Sequence, residues 1–204
     1  MSNTLVLGSS LWLIPPAGSA IDATLSKLIH KTIPPHFAPD ETVPSFIPHV
    51  TLTSRLPKEF ANPQSVLNDL EIEDIPEVVF KELNVGDTFF TRITLHAEKT
   101  PALVGLARQC RHKFAEGNVN EADATLWATV VFTPHLSLVY SSMPAEKVKA
   151  EVLHKVTEDV DDAGVVAGPA AVHSAMGGWK GGRVVLVQTW KDLDQWKVIA
   201  ERVL

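Results

Sequence analysis

One five-residue pattern occurs twice in this sequence, at residues 48–52 and 134–138: proline, histidine, an aliphatic residue, a small hydroxyl residue and leucine. A β-strand sends successive side chains to opposite faces. Each copy therefore predicts a strand whose aliphatic residues enter the core and whose polar residues share the other face. That polar face carries His49, Thr51 and Thr53 in the first copy, and His135 and Ser137 in the second. We expect the fold to bring these two faces together.

The composition indicates one globular domain without a long polyanionic partner. The chain has 204 residues, of which 45% are hydrophobic, and a formal net charge of −6 at pH 7. Nucleic-acid-binding proteins usually carry a basic excess, so this charge argues against long nucleic acid but allows a small anionic ligand. Cys110 is the single cysteine, which excludes an intrachain disulfide and favours a reducing compartment. Residues 1–14 are apolar but interrupted, and they predict neither a signal peptide nor a membrane-spanning helix.

The remaining patterns predict helices and strands mixed along the chain. Helices are predicted from Ser19 to the prolines at 34 and 35, over residues 63–70, from Pro101 to about Gly117, and onward from Pro144. Besides the first histidine strand, strands are predicted over residues 5–14, 78–85, 89–95, 129–140, 172–176 and 183–190. Residues 33–47 are rich in proline and predict an irregular connection, and residues 177–182 predict a flexible one. The tail, residues 192–204, fits either a short helix or a final strand.

Two histidines beside two hydroxyls suit the hydrolysis of a phosphodiester. Imidazole has an unperturbed pKa of about 6.5, so one ring can accept a proton while the other donates one at the same pH. In-line attack on phosphorus needs a base for the water and an acid for the departing oxygen. Hydroxyl groups can hydrogen-bond the non-bridging oxygens, where negative charge concentrates in the transition state. The polar face therefore favours phosphodiester hydrolysis over acyl transfer.

These residues resemble those of the 2H phosphoesterase superfamily, and within it the fungal and plant 2′,3′-cyclic-nucleotide phosphodiesterases. The resemblance rests on the two histidine motifs and extends to Leu11-Trp12, Pro15-Pro16, Gly18, Tyr140-Ser141 and Trp196-Lys197-Val198. It implies an α+β fold in which two antiparallel β-sheets, flanked by helices, are related by a pseudo-two-fold axis and enclose a central cleft. Residues 1–204 would then form a single bilobal catalytic domain with one motif in each half.

The resemblance also implies an activity and a role for each residue. The activity is hydrolysis of ADP-ribose 1″,2″-cyclic phosphate, a by-product of tRNA splicing, to ADP-ribose 1″-phosphate, and of nucleoside 2′,3′-cyclic phosphates to nucleoside 2′-phosphates. It needs no metal or other cofactor. His49 and His135 are the catalytic pair, with His135 as the base and His49 as the acid, and Thr51 and Ser137 bind the phosphate. Tyr140, Trp12 and Thr53 are expected to line the substrate site. Tyr140 reaches it only if the strand has a bend or bulge near Val139.

The same resemblance and composition set expectations for partners and location. We expect a monomer that binds a small cyclic phosphate and does not span a membrane. We expect it to be intracellular, either in the cytoplasm or peripherally associated with an organelle such as the Golgi.

Three alternatives remain open at the level of sequence. The two histidines could be zinc ligands, although neither motif has a histidine four residues away or an acidic third ligand. The chain could process RNA ends, which its acidic charge disfavours. It could also bind nucleotides without catalysis, which would not require two intact motifs.

Overall fold

The computed structural model describes residues 8–204, which form eight strands and six α-helices. The strands are β1 (Ser9–Ile14), β2 (Val50–Leu56), β3 (Glu77–Asn84), β4 (Ile93–Ala97), β5 (His135–Val139), β6 (Gly178–Lys180), β7 (Arg183–Val187) and β8 (Val198–Val203). The α-helices are α1 (Ala20–Lys27), α2 (Pro63–Asn68), α3 (Pro101–Phe114), α4 (Glu121–Leu126), α5 (Ala145–Lys147) and α6 (Leu153–Asp162). π-Helical turns extend α1 over Leu28–Thr32 and α4 over Trp127–Val131, and a third, Val148–Val152, joins α5 to α6.

The eight strands form one antiparallel sheet in the order β6-β3-β4-β5-β2-β1-β7-β8. The two histidine strands, β2 and β5, are neighbours at its centre and pair at Val50 and Leu136. The predicted α+β class is confirmed. Two separate sheets and a pseudo-two-fold axis are not, because the two groups of four strands are joined through this pair into a continuous curled sheet.

The main core lies on one face of this sheet. Val50, Leu52, Leu136 and Leu138 are at most 1% exposed, and they belong to a cluster that includes buried residues of the helices. The opposite face has a smaller apolar cluster built from Trp12, Ile14, Val185 and Val187. Side chains of β1 alternate between the two clusters, as the pleat of a strand requires. Within residues 8–204, no helix is long and apolar enough to cross a membrane.

Most of the predicted helix starts are confirmed. The Ser19 hydroxyl caps α1 by accepting a hydrogen bond from the Asp22 backbone N–H at 3.3 Å. Pro63 and Pro101 each occupy the first turn of their helix, where a missing N–H costs nothing. Strand β1 confirms the described part of the first predicted strand, and residues 5–7 of that prediction lie outside the described residues.

The prediction of a strand over residues 129–140 is wrong for its first part. Asn120 caps a helix by accepting from the Asp123 N–H at 2.9 Å, and that helix continues through the π-helical turn as far as Val131. The strand begins only at His135. A short apolar run fits a helix as well as a strand, which explains the error. The strand predicted over residues 89–95 is likewise shorter, because residues 89–91 form a 3₁₀ turn.

The glycine-rich connection contains a strand that sequence analysis placed elsewhere. Residues 171–173 form a 3₁₀ turn, so the strand predicted over 172–176 is wrong, and β6 occupies part of the connection predicted to be flexible. Gly178 has φ +142° and pairs closely with β3, where a Cβ atom would collide with the Val78 carbonyl. Glycine therefore allows this close approach. The tail forms a final strand, β8, after a 3₁₀ turn.

Candidate active site

The two histidine motifs lie side by side at the centre of the sheet. The antiparallel pairing of Val50 with Leu136 places His49 on the Ser137 side of the pair and Thr51 on the His135 side. Each histidine thus lies next to the hydroxyl residue of the other motif. The expectation that the fold brings both polar faces together is confirmed.

Both histidine strands contain a bulge directly after the hydroxyl residue. On β2 the extra residue is Leu52, between the pairs Trp12–Thr51 and Leu11–Thr53. On β5 it is Leu138, between the pairs Thr94–Ser137 and Ile93–Val139. A bulge shifts the alternation of side chains by one residue. The bend or bulge predicted near Val139 is therefore present.

The repeated bulge determines which residues reach the site beyond the two motifs. The residue five positions after each histidine, Ser54 on β2 and Tyr140 after β5, lines the shared cavity. Thr53, which strict alternation predicted on the histidine face, does not line it and is 1% exposed. Because Leu52 is the extra residue of the bulge, the side chain of Ser54 points into the cavity and that of Thr53 points away from it.

Backbone carbonyls orient both imidazole rings in the same way. The Nδ1 of His49 lies 2.7 Å from the Ile47 carbonyl oxygen, and the Nδ1 of His135 lies 2.8 Å from the Thr133 carbonyl oxygen. A carbonyl can only accept, so in each neutral ring Nδ1 carries the proton and Nε2 has a lone pair. Both histidines can therefore accept a proton at Nε2.

His49 is the more deeply buried of the two histidines. Its ring stacks on Trp12, with centroids 3.7 Å apart, and its Nε2 lies 3.3 Å from the Tyr140 hydroxyl. The Phe46 ring stacks on the Tyr140 ring, with centroids 3.8 Å apart, and meets the His49 ring edge-on at 6.0 Å. Burial lowers the pKa of His49 to about 4, with the Ile47 carbonyl opposing this change and His135 adding to it. Burial also raises the pKa of the Tyr140 phenol, which keeps its proton.

His135 is only partly buried, and its ring faces a different neighbour. Burial lowers the pKa of His135, the Thr133 carbonyl opposes this effect, and His96 adds to it through repulsion between the two rings, whose centroids are 6.2 Å apart. In the ligand-free site both imidazoles are thus neutral near pH 7. Either can act as a base, and one must gain a proton before it can act as an acid.

The two histidines open into a shared cavity of about 140 Å³. Six hydroxyl residues line it: Ser10, Thr51, Ser54, Ser137, Thr189 and Tyr140. Besides Tyr140 and the two histidines, the aromatic residues of the lining are Trp12, Phe90 and Trp196. Among the described residues, no lysine, arginine, aspartate or glutamate lines this cavity. An anion held here therefore depends on hydroxyl groups and on a protonated imidazole.

Five lining residues were missed by sequence analysis: Ser10, Ser54, Phe90, Thr189 and Trp196. Ser10 could have been found, because it lies two residues before Trp12 on the same face of β1. Ser54 could also have been found, because a bulge in the first motif like the one inferred for Tyr140 in the second turns Ser54 toward the cavity. Phe90, Thr189 and Trp196 come from turns distant in sequence. Trp196 belongs to the resemblance to the family, but no local pattern places any of the three in the site.

The cavity has no cluster that could hold a metal ion within residues 8–204. No group of three or more histidine, cysteine, aspartate or glutamate side chains is suitably arranged there. The zinc-ligand alternative therefore has no third protein ligand among these residues.

Comparison with known proteins identifies the family. The model of the family described as "Cyclic phosphodiesterase-like protein" matches residues 7–204. The chain belongs to this family. It is 41% identical to the 2′,3′-cyclic-nucleotide 3′-phosphodiesterase of Phaeosphaeria nodorum, over 97% of this chain and 99% of that protein. It is 31% identical to the protein of the same name from Neurospora crassa, again over 97% and 99%. The predicted recognition and the predicted enzyme class, a hydrolase of phosphoric diesters, are confirmed.

In this cyclic phosphodiesterase-like protein, a carboxylate outside the cavity holds the segment that carries Tyr140. Glu41 accepts hydrogen bonds from the Ser141 hydroxyl, from the Ser142 N–H at 2.9 Å and from the Ser142 hydroxyl at 2.8 Å. Partial burial would raise the pKa of the Glu41 carboxyl, but these hydrogen bonds bring it below its ordinary value. Glu41 therefore links the proline-rich connection to the end of β5.

We expect Glu41→Gln to lower the free energy of unfolding by about 2 kcal/mol, because glutamine has one acceptor oxygen for three donors. The measurement is urea unfolding of the wild type and the variant at pH 7. Asp40→Asn is the matched control, since the neighbouring Asp40 forms an exposed ion pair with Lys147 at 2.5 Å. Such pairs contribute less than about 1 kcal/mol. Equal losses in both variants would contradict the role of Glu41.

Proposed function

We propose that this chain is a metal-independent cyclic phosphodiesterase. Its substrates would be ADP-ribose 1″,2″-cyclic phosphate, a tRNA-splicing by-product that it opens to ADP-ribose 1″-phosphate, and nucleoside 2′,3′-cyclic phosphates, which it opens to nucleoside 2′-phosphates. The observation that carries this proposal is the pair of imidazoles, each fixed through Nδ1 by a backbone carbonyl and each lining one cavity with the hydroxyl of the other motif. Relatives named 2′,3′-cyclic-nucleotide 3′-phosphodiesterase support the substrate class.

In the proposed reaction, His135 is the base and His49 the acid. His135 is the more exposed ring, so a water molecule can reach its Nε2. There the Nε2 lone pair accepts a hydrogen bond from the water, which orients it, and takes its proton as the water attacks phosphorus. His49 takes up a proton from solvent at Nε2 when the phosphodiester anion binds, and gives it to the departing sugar oxygen. Its stacking on Trp12 favours the charged imidazolium, because the face of an indole attracts cations. The bound phosphodiester anion raises the pKa of His49 and supplies the remaining stabilisation of its imidazolium, and repulsion between the two rings keeps His135 neutral once His49 is charged.

Thr51 and Ser137 are the proposed ligands of the non-bridging phosphate oxygens. The Thr51 hydroxyl has no hydrogen-bond partner among the described residues and is free to donate. The Ser137 hydroxyl donates to the Phe90 carbonyl at 2.7 Å, so it must rotate toward the phosphate when substrate binds. Donors aimed at the developing charge stabilise the transition state more than the ground state.

The aromatic residues divide into two groups in this proposal. Trp12 is 3% exposed and covered by His49, so it supports the acid and does not offer a free face to a nucleobase. Phe90 and Trp196 are half-buried and stack on each other with centroids 5.8 Å apart. They form the apolar wall against which the sugar or base would pack. Tyr140 holds the Nε2 of His49 until the leaving oxygen takes its place.

The repeated local geometry supports a bilobal description of the domain. Each copy has the same imidazole anchor, the same bulge after the hydroxyl residue and the same lining position five residues after the histidine. We propose that the halves of the sheet on either side of the Val50–Leu136 pair are two related lobes, with the active site between them. We also propose that the protein acts as a monomer, since both histidine motifs and their proposed phosphate ligands lie in the same sequence.

Phosphorus NMR of the purified protein with adenosine 2′,3′-cyclic phosphate in excess EDTA tests the proposal. We expect complete conversion to adenosine 2′-phosphate, with no 3′-phosphate, and the same rate after EDTA is replaced by added Mg²⁺. ADP-ribose 1″,2″-cyclic phosphate under the same conditions is expected to give only ADP-ribose 1″-phosphate. No turnover in EDTA, or release of the 3′-phosphate, would refute the proposed reaction.

A further inference from the structure

One end of the cavity contains a chain of hydroxyl groups that the proposed reaction does not use. The Ser10 Oγ lies 2.7 Å from the Thr189 Oγ1, and the Thr189 hydroxyl donates to the Gly8 carbonyl oxygen at 2.9 Å. Both side chains are 2% exposed, yet both line the cavity. They come from the start of β1 and from the turn after β7, on the same side of the sheet as Trp12.

The direction of these hydrogen bonds follows from the number of protons. A hydroxyl group has one proton, and Thr189 gives its proton to Gly8, whose carbonyl can only accept. Ser10 must therefore donate to Thr189, which leaves the Ser10 oxygen with lone pairs and without a proton for the cavity. An oxygen in this state binds donors and repels the oxygens of a phosphate. The Ser10 end of the cavity is thus suited to a different part of the substrate.

The position of Ser10 relative to the proposed phosphate ligand Thr51 indicates which part of the substrate lies beside Ser10. Ser10 lies two residues from Trp12 on one face of β1, a separation of about 7 Å along the strand. Trp12 pairs with Thr51, and Ser54, the next lining residue of β2, lies toward Ser10. This offset is close to the width of one sugar ring carrying its phosphate. A ring whose phosphate lies at Thr51 thus has an edge near Ser10.

We propose that Ser10, held by Thr189, accepts a hydrogen bond from a free sugar hydroxyl next to the cyclic phosphate. The inference rests on the proposed function and makes it more specific. A ribose 1,2-cyclic phosphate has a free 3-hydroxyl adjacent to the phosphate ring. A nucleoside 2′,3′-cyclic phosphate has no free ring hydroxyl, because both oxygens are esterified. Ser10 therefore favours the 1,2-cyclic class.

The test uses two substrates that differ by one hydroxyl: α-D-ribofuranose 1,2-cyclic phosphate and its 3-deoxy analogue. We expect the wild type to show a kcat/KM about tenfold higher for the first. Ser10→Ala is expected to bring this ratio close to one, and so is Ser10→Cys, which keeps the shape of the side chain at a slightly larger size but is a weak acceptor. Ser9→Ala, which removes a buried hydroxyl outside the cavity, is expected to keep the wild-type ratio.

Because each ratio is measured on one preparation, a partly unfolded variant changes both rates equally and leaves the ratio intact. A wild-type ratio near one, or an unchanged ratio in both Ser10 variants, would refute the role of Ser10 while leaving the proposed function in place. Failure of the wild type to hydrolyse both ribose substrates and adenosine 2′,3′-cyclic phosphate would refute the proposed function as well, whereas turnover of adenosine 2′,3′-cyclic phosphate alone would refute only the role of Ser10.

Discussion

We expect His49→Gln and His135→Gln each to lower kcat for adenosine 2′,3′-cyclic phosphate by about 10³-fold. A positioned acid or base contributes roughly 10²- to 10⁴-fold to a rate. Glutamine keeps a polar side chain of similar length but cannot exchange a proton at neutral pH. The measurement is the initial rate by phosphorus NMR, with kcat and KM determined separately.

The double variant and a distant histidine give the controls for this prediction. Acid and base act in one step, so His49→Gln combined with His135→Gln is expected to cost little more than either change alone. His173→Gln, at an exposed position outside the cavity, is expected to leave kcat unchanged. Full activity in either single variant would refute the two-histidine reaction.

A substrate with a better leaving group separates the two roles. When sulfur replaces the 3′ bridging oxygen, the departing group is a thiolate, whose conjugate acid has a pKa near 8.5 and which leaves without a proton. The acid then becomes unnecessary and the base does not. We expect this substrate to restore most of the rate in His49→Gln but not in His135→Gln. Restoration in His135→Gln alone would exchange the two assignments.

The contacts of the site show which features a sequence can predict. The two motifs repeat their flanking residues, so the core facing of their aliphatic residues followed from alternation and the meeting of both histidines from the repetition. The direct pairing of the two histidine strands did not follow, because two separate sheets were expected. The place of Tyr140 in the site was also predicted, on the condition that the strand has a bulge near Val139. Thr53 was expected on the same face only because the first copy was given no bulge. The identical bulges at Leu52 and Leu138 show that the inference for one copy applied to both.

The features that could not be predicted depend on contacts between distant segments. Thr189 reaches Ser10 across 179 positions of sequence, and Glu41 reaches Ser141 across 100. A hydroxyl or carboxylate of this kind has no local pattern, since its partner is chosen by the fold. The strand prediction for the short apolar run before Phe132 was wrong for another reason. These residues suit a helix and a strand almost equally, and the helix capped by Asn120 extends through them.

Burial of His49 has a further consequence, for stability. We expect the free energy of unfolding to fall by about 3 kcal/mol through His49 alone as the pH is lowered from 6.5 to 4. Burial lowers the pKa of this ring from 6.5 to about 4 in the folded protein. Between these values the unfolded chain binds a proton that the folded chain does not, so acid favours unfolding. A difference of about 2.5 pKa units corresponds to roughly 3 kcal/mol.

Urea unfolding at pH 7, 6, 5 and 4 measures this contribution as the difference between the wild type and His49→Gln. Both proteins keep Glu41, so its titration cancels in the difference, and the small repulsion between His49 and His135 is part of the measured contribution. The stabilisation that neutral His49 gives the folded protein is fully present above pH 6.5 and disappears as the pH falls toward 4. The free energy of unfolding of the wild type minus that of His49→Gln must therefore decrease over that interval. His154→Gln, at an exposed position of α6, is expected to follow the wild type. Parallel curves for the wild type and His49→Gln would mean that His49 takes up its proton as readily in the folded protein as in the unfolded chain.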